Sequence, residues 1–325
     1  MQIAELSVLL VWAAATALAI ALVAFATDLA RLSGTRSEAR AVARAAREAV
    51  AVGAGPTSAG AAYGPGTSDA GPTPVRRRAA GIGMSTTWLG ALLLLAAIVL
   101  RGIAAGRTPW ANMYEFTLVG TFVALAVFLG VNLRRDARFL GAFVAGLGTL
   151  FLVLGVNVFY IEAMGVQPAL QKYWLVIHVG VAISATGIFT VSFVASALQL
   201  LRDGRDSGSP YLASWRWLDS LPTPTALEAQ SFRLNAVGFV LWTFTIIGGA
   251  IWAEDAWGRY WGWDPKEVWS FVIWVVYAAY LHARTTRGWS GRPAAWFVVV
   301  GYACVLFNFT GVNLIFNGKH SYSGL

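Results

Sequence analysis

Apolar residues in this chain arrive in long unbroken runs, and a run of about 20 is what a helix needs to cross a hydrocarbon core of about 30 Å. Eight such spans are predicted, near residues 4–29, 87–105, 113–133, 139–160, 174–201, 234–253, 266–284 and 294–316. The bilayer core holds no water for backbone groups to bond, so each run is expected to be a helix. Composition agrees, since 57% of the residues are hydrophobic and only 12% are charged, where a soluble domain carries about a quarter charged. The expected fold class is all-α, a polytopic transmembrane bundle of about eight spans. No internal repeat is evident. The first residues, Met-Gln-Ile-Ala-Glu-Leu, show no basic n-region and no clear cleavage site, so residues 1–30 are read as a retained membrane helix.

Residues 31–86 differ in kind. Residues 31–50 alternate Ala with Arg and Glu and could extend the first helix, while 51–74 are rich in Gly, Ala, Pro, Ser and Thr. Such a stretch cannot offset the entropy of ordering, so a mobile linker is expected, ending in Arg76-Arg77-Arg78. The remaining residues, 87–325, form the main membrane domain.

The net charge of +8 could suggest nucleic acid, but the arginines sit at the ends of apolar runs and fit membrane orientation instead. Assigning loops alternately to two sides puts 18 of the 24 Lys and Arg on one side. The other side holds Arg101, Arg107, Lys172, Arg259, Lys266 and Lys319. The richer side is expected in the cytoplasm, with both termini and the loops at 161–173 and 254–265 outside. The expected location is the plasma membrane.

One cysteine, Cys304, lies within the last apolar run. It excludes an internal disulfide and a Cys-rich metal site, and without a Cys-x-x-Cys-His the chain is not itself a c-type cytochrome.

The outer segment 252–269 concentrates the chemistry. It carries Trp252, Trp257, Gly258, Trp261, Gly262, Trp263, Asp264, Pro265, Lys266, Glu267 and Trp269. Trp257 and Trp261 would share a helical face but Trp261 and Trp263 would not, so one simple helix is not expected. The glycines let flat rings or a ligand approach the backbone. The result is read as a broad aromatic shelf suited to haem. Tryptophans also anchor helices at membrane interfaces, and Asp264-Pro265-x-Glu267 reads as a helix start with Asp at the N-cap, Pro at N1 and Glu at N3.

The chain has three histidines. His178 lies four residues past Trp174, roughly 6 Å below the outer mouth of its span. His320 lies just beyond the last span, on the same side. Two neutral imidazoles can ligate one haem iron axially; the plainer readings are a helix-packing residue and a solvated one. His282 falls about 26 Å along the axis from Pro265, towards the inner face, as an inner haem ligand or a residue snorkelling beside Arg284. The outer cations Arg101, Arg107, Arg259, Lys266 and Lys319 are candidates for pairing with haem propionates.

At these residues the chain resembles the CcsA/ResC family of system II cytochrome c biogenesis proteins, within the wider group of haem-handling membrane proteins that carry a WWD domain. The resemblance runs through Trp257-Gly-x-x-Trp261-x-Trp263-Asp264-Pro265-Lys266-Glu267-x-Trp269 and Tyr280-Leu281-His282-x-Arg284. Asn112-Met-Tyr114-Glu115, Trp174-x-x-x-His178, Gly311-Val-Asn313 and His320-Ser321-Tyr322 reinforce it. It covers roughly residues 85–325. It implies a haem conduit and cytochrome c synthase working with a ResB-type membrane subunit, with haem b as substrate. His178 and His320 would be the outer axial ligands, and His282 would belong to an inner site whose second histidine comes from the partner. The haem would be presented, reduced, to apocytochrome c for thioether attachment at Cys-x-x-Cys-His, with a thiol-reducing protein possible as a further partner. The attacking groups are substrate thiols, so no catalytic residue of its own is expected. A haem transporter or chaperone without ligase activity is the alternative, and a membrane electron-transfer protein with a permanent haem is a third reading.

Overall fold

The computed structural model of the protein describes residues 2–53, 77–164, 173–316 and 318–320, without most side chains of 36–53. The described residues form helices and turns, with no strand among them. In chain order the helices are α1 (Ile3–Gly53), α2 (Arg78–Ala105), α3 (Met113–Arg134), α4 (Gly141–Val158), α5 (Tyr173–Asp206), α6 (Pro224–Trp257), α7 (Pro265–Thr286), α8 (Arg292–Phe309) and the short α9 (Gly311–Ile315).

A helix therefore stands at each of the eight expected runs. Seven are long and apolar enough to cross a membrane. The exception, α7, has 22 residues and so measures about 33 Å, which is span length. Charged and polar residues at its two ends, Lys266 and Glu267 at one and His282 and Arg284 at the other, together with its Trp and Tyr residues, hold its hydropathy down without shortening it. The basic stretch after the first run does continue α1, as far as Gly53, and α2 begins at Arg78, ahead of its apolar run. The rest of the expected linker, residues 54–76, lies outside the described residues.

Two large apolar cores hold the described helices, with a small third cluster around Leu175 and Trp252. Helices α1 to α4 close around Leu18, Phe25, Leu94, Leu118, Leu125, Phe128 and Leu152. Helices α5 to α8 close around Phe189, Trp242, Ile273, Tyr277, Val298 and Tyr302. Small residues set the helix approach, as is usual in membranes. A Cβ on Gly187 would lie 2.6 Å from Val123 of α3, and one on Gly301 would lie 2.9 Å from the Tyr277 ring.

Ion pairs mark the two ends. At one end Arg77 pairs with Asp28 of α1 and Asp136 of the α3–α4 turn, Arg205 with Asp219, and Arg284 with Glu228. At the other end Arg101, 1% exposed, and Arg107 both pair with the fully buried Glu115. Arg101 also donates to the carbonyls of Ile161 and Glu162, and Arg107 to that of Met164. This cluster ties α2, the start of α3 and the segment after α4 together.

Candidate functional site

Five helix ends converge beside that cluster. The starts of α3, α5 and α7 and the ends of α6 and α8 surround a cavity whose walls include Trp110, His178, Trp242, Thr245, Gly249, Trp252, Trp261, Lys266, Asn308 and His320. Its empty space, with the solvent of its open mouth included, is about 1230 Å³.

Local signals explain the frame. Helix α6 starts on a Thr223 cap followed by Pro224 and stops at Gly258, whose φ of 69° suits glycine. Helix α7 starts on a capping box. Asp264 accepts the Lys266 amide at 3.0 Å, and the Glu267 carboxylate accepts the Asp264 and Gly262 amides at 3.0 and 2.8 Å. Between the helices the chain cannot stay helical: Trp263 sits at φ 58°, rare for a bulky residue.

The structure brings His178 and His320 to the same cavity. His178 Nδ1 lies 3.0 Å from the Thr245 carbonyl oxygen, and His320 Nδ1 lies 2.9 Å from Asp264 Oδ1. Both partners only accept, so in each neutral ring Nδ1 carries the proton and Nε2 keeps its lone pair. That is the arrangement of a metal-ligating histidine oriented by a second hydrogen bond. Gly249 makes the His178 pose possible, since a Cβ there would lie 2.7 Å from His178 Cε1.

Trp252, 1% exposed, lies beside both rings. It stacks on His178 at 6.2 Å and 6° between planes, and its centroid is 5.7 Å from that of His320. Trp257 meets the His320 ring edge-on at 4.7 Å. Trp261 faces the cavity. Trp263 is 73% exposed and touches Trp261 edge-on. Trp269 packs on Phe307 at 4.3 Å, away from the cavity wall. The expected shelf is thus a wall, a lip and a prop rather than one plane. Gly262 gives its space to the Arg259 side chain, which a Cβ would strike.

Asp264 gathers this end of the site. Besides the cap and His320, it accepts the Lys319 amide at 2.7 Å. Burial opposes its ionisation, but the hydrogen bond from His320 and those from the two backbone amides outweigh it and hold the carboxyl at about 2. Of the candidate propionate partners, Arg101 and Arg107 are committed to Glu115, and Lys319 lies over the Trp257 ring at 5.6 Å. Lys266 lines the cavity and donates to the Asn308 carbonyl at 2.9 Å.

His282 is not brought to this site. It is exposed, near the end of α7 beside Arg284, as its distance along the helix required.

Sequence reasoning missed Thr245, Gly249, Trp110 and Asn308. Thr245 acts through its backbone carbonyl, which leaves no trace in residue type. The Gly248-Gly249 pair in the middle of an apolar run was the available signal of a close approach. Trp110 Nε1, Glu267 Oε1 and Asn308 Oδ1 are buried without a hydrogen-bond partner among the described residues and belong to residues lining this cavity. Orphaned polar atoms at a cavity wall are what a polar-edged ligand or ordered water would satisfy.

The profile of the family described as cytochrome C assembly protein matches residues 110–320, the stretch that contains every wall of this cavity. The chain belongs to that family. Among the relatives, the cytochrome c biogenesis protein CcsA of Synechococcus sp. strain CC9902 is 34% identical over 252 residues, covering 71% of this chain and 83% of its own length. That of Gloeobacter violaceus is 32% identical over 298 residues, covering 75% and 87%. That of Chlamydomonas reinhardtii is 35% identical, covering 71% of this chain, which spans only 65% of that longer protein. The fold is shared with a solved structure titled cytochrome c heme lyase CcmF, at a TM-score of 0.65 and 15% identity, over 99% of this chain. This chain spans about half of that one (49%). Within the cytochrome c assembly family, then, this is a CcsA-like, multi-pass helical membrane protein.

Proposed function

We propose that this protein takes haem b as substrate and holds it in the outer cavity between His178 and His320, for covalent attachment to the Cys-x-x-Cys-His of apocytochrome c. One observation carries the reading. Two imidazoles, each with Nδ1 held by an acceptor and the lone pair therefore on Nε2, line the same aromatic-walled cavity. Among the described residues no group of three or more His, Cys, Asp or Glu could hold a bare metal ion. Two imidazoles suffice only where the metal arrives with its other ligands, as it does in a porphyrin.

The chain's residues bind and orient. His178 and His320 would supply the iron-binding nitrogens, Trp252 and Trp261 would cover the macrocycle, Trp257 backs the His320 ring, and Lys266 faces the cavity as a partner for a carboxylate. Trp263 stands exposed at the lip, where the incoming peptide would meet it. Each substrate thiol adds across one vinyl group, forming one C–S and one C–H bond with no net change in electrons. The protein contributes proximity and orientation to that addition.

We place this cavity on the outer face of the plasma membrane and the arginine-rich end in the cytoplasm. Exposed His282, at the opposite end of α7, is offered to a ResB-type membrane subunit that would supply the second ligand of an inner haem site.

Co-expression with a ResB-type subunit and a Cys-x-x-Cys-His reporter tests the proposal. Covalent haem on the reporter, lost in His178→Ala and His320→Ala, supports the synthase. Non-covalent haem delivery without thioether product would favour a transporter or chaperone. A complex that purifies with no haem would refute both.

A further inference from the structure

The two imidazoles at the cavity are held by unlike partners. His178 donates to a neutral carbonyl in the interior of α6. His320 donates to a carboxylate that is 7% exposed. Capping α7 does not require that charge, because Asn, Ser or Thr would cap as well. Docking residues 318–320 uses the second oxygen, Oδ2, which takes the Lys319 amide, but as an acceptor rather than as a charge. The charge matters only for what it does to the ring.

A carboxylate accepting from Nδ1–H increases the donor strength of Nε2. Its fixed negative charge also favours the more positive state of whatever Nε2 binds. Porphyrin is a dianion, so ferric haem keeps one net positive charge at the iron and ferrous haem keeps none. A carboxylate-backed imidazole therefore prefers ferric over ferrous haem more strongly than a carbonyl-backed one does.

We propose that Asp264 is a positioning residue that makes His320 an oxidation-state-dependent ligand, strong towards ferric and weaker towards ferrous haem, while His178 holds both states. This rests on the reading of the cavity as a haem site. His320 is then the ligand that ferrous haem holds less tightly and that an incoming substrate histidine displaces. The mounting agrees: His178 is fixed within the α5–α6 interface against Gly249, whereas His320 lies beyond α9 on a segment pinned to Asp264 by two hydrogen bonds.

Spectroelectrochemical titration of the protein purified with its partner subunit tests the inference. The set is wild type, Asp264→Asn, His320→Ala and the His320→Ala/Asp264→Asn double variant. Asn keeps one oxygen for the cap and for Nδ1, so it removes the charge together with the Oδ2 contact to the Lys319 amide; that contact is lost equally in the His320→Ala background, which separates the two effects. Asp264→Asn should weaken ferric binding tenfold or more with ferrous binding little changed, which raises the reduction potential by 59 mV per tenfold for one electron. Its thermal midpoint should fall by no more than the loss of the one Lys319 hydrogen bond allows. In the His320→Ala background the same substitution should leave the potential in place, because the effect acts through the ring. An unchanged potential in Asp264→Asn, or an equal shift with His320 absent, would overturn the proposal. Asp264→Ser, which keeps the cap but cannot reach the ring, should match or exceed the Asn effect on ferric binding; wild-type behaviour there would also overturn it. A complex with the inner site removed by His282→Ala whose haem spectrum survives loss of both His178 and His320 would instead refute the haem-site reading beneath it.

Discussion

Replacing Gly249 with Ala should damage the site while sparing the fold. A Cβ at 249 would stand 2.7 Å from His178 Cε1 and 3.2 Å from its Nδ1. Ordinary contact begins near 3.4 Å, so the ring must retreat by about 0.7 Å. The hydrogen-bond acceptor, Thr245, lies on the same helix face one turn away, so retreat from Gly249 is also retreat from Thr245. The 3.0 Å bond would open towards 3.7 Å, beyond hydrogen-bond range, at a loss of about 1 kcal/mol. Ala is about 1 kcal/mol better than Gly inside a helix, so net stability should hardly move. The ring, freed to choose its tautomer and orientation, should bind haem about 10- to 100-fold more weakly, as when other orienting partners of ligating histidines are lost. Gly248→Ala is the internal control: its Cβ would meet only Phe244 at 3.9 Å, and it gains the same helix propensity. Haem titration by visible absorbance, beside a thermal melt, reads both quantities. Equal haem affinity in Gly249→Ala and Gly248→Ala would refute the geometry argued for His178.

Three further outcomes are expected. Glu115→Gln removes the charge that neutralises Arg101, itself 1% exposed, and should cost about 3–5 kcal/mol, measured as a large drop in thermal midpoint or in yield of folded protein. The hydrogen bond and charge of Arg138, opposed by burial and helped by Arg77, hold the Asp136 carboxyl at about 2. A depressed carboxylate stabilises above its ordinary value of 3.8 and loses that contribution as pH falls towards 2. Acid should therefore loosen the α2 start from the α3–α4 turn; because Asp136 is half exposed the effect should be small and weaken with salt, and hydrogen exchange at residues 135–138 reads it. His282→Ala should leave the ferric spectrum of haem added directly to the outer cavity unchanged while lowering the haem retained on purification with the partner; an altered outer spectrum would place His282 in the wrong site.

Much of the architecture was legible because membrane helices announce themselves by length and apolarity, and the α7 start because Asp264-Pro265-x-Glu267 is local chemistry. The convergence of His178 and His320 followed from which side each span ends on. Other features depend on contacts distant in sequence. Arg101 reads as a free outer cation until Glu115 folds against it, although a carboxylate beside an apolar run was a hint of a buried partner. Helix α2 starts ahead of its apolar run at a point where Arg77 is fixed by Asp28 and Asp136, residues 49 and 59 positions away. Trp252 looked like the edge of the aromatic cluster, and packing put it beside both histidines. Thr245 could not be foreseen at all, since its carbonyl is common to every residue.

Two axial nitrogens in one cavity are the core of the proposed haem site. Low-temperature electron paramagnetic resonance of the ferric complex purified with its partner, with the inner site removed by His282→Ala, measures this directly. A low-spin bis-imidazole signal is predicted, turning high-spin in His178→Ala and in His320→Ala and restored in each by added imidazole. A low-spin signal that persists in the His178→Ala/His320→Ala double variant would contradict it.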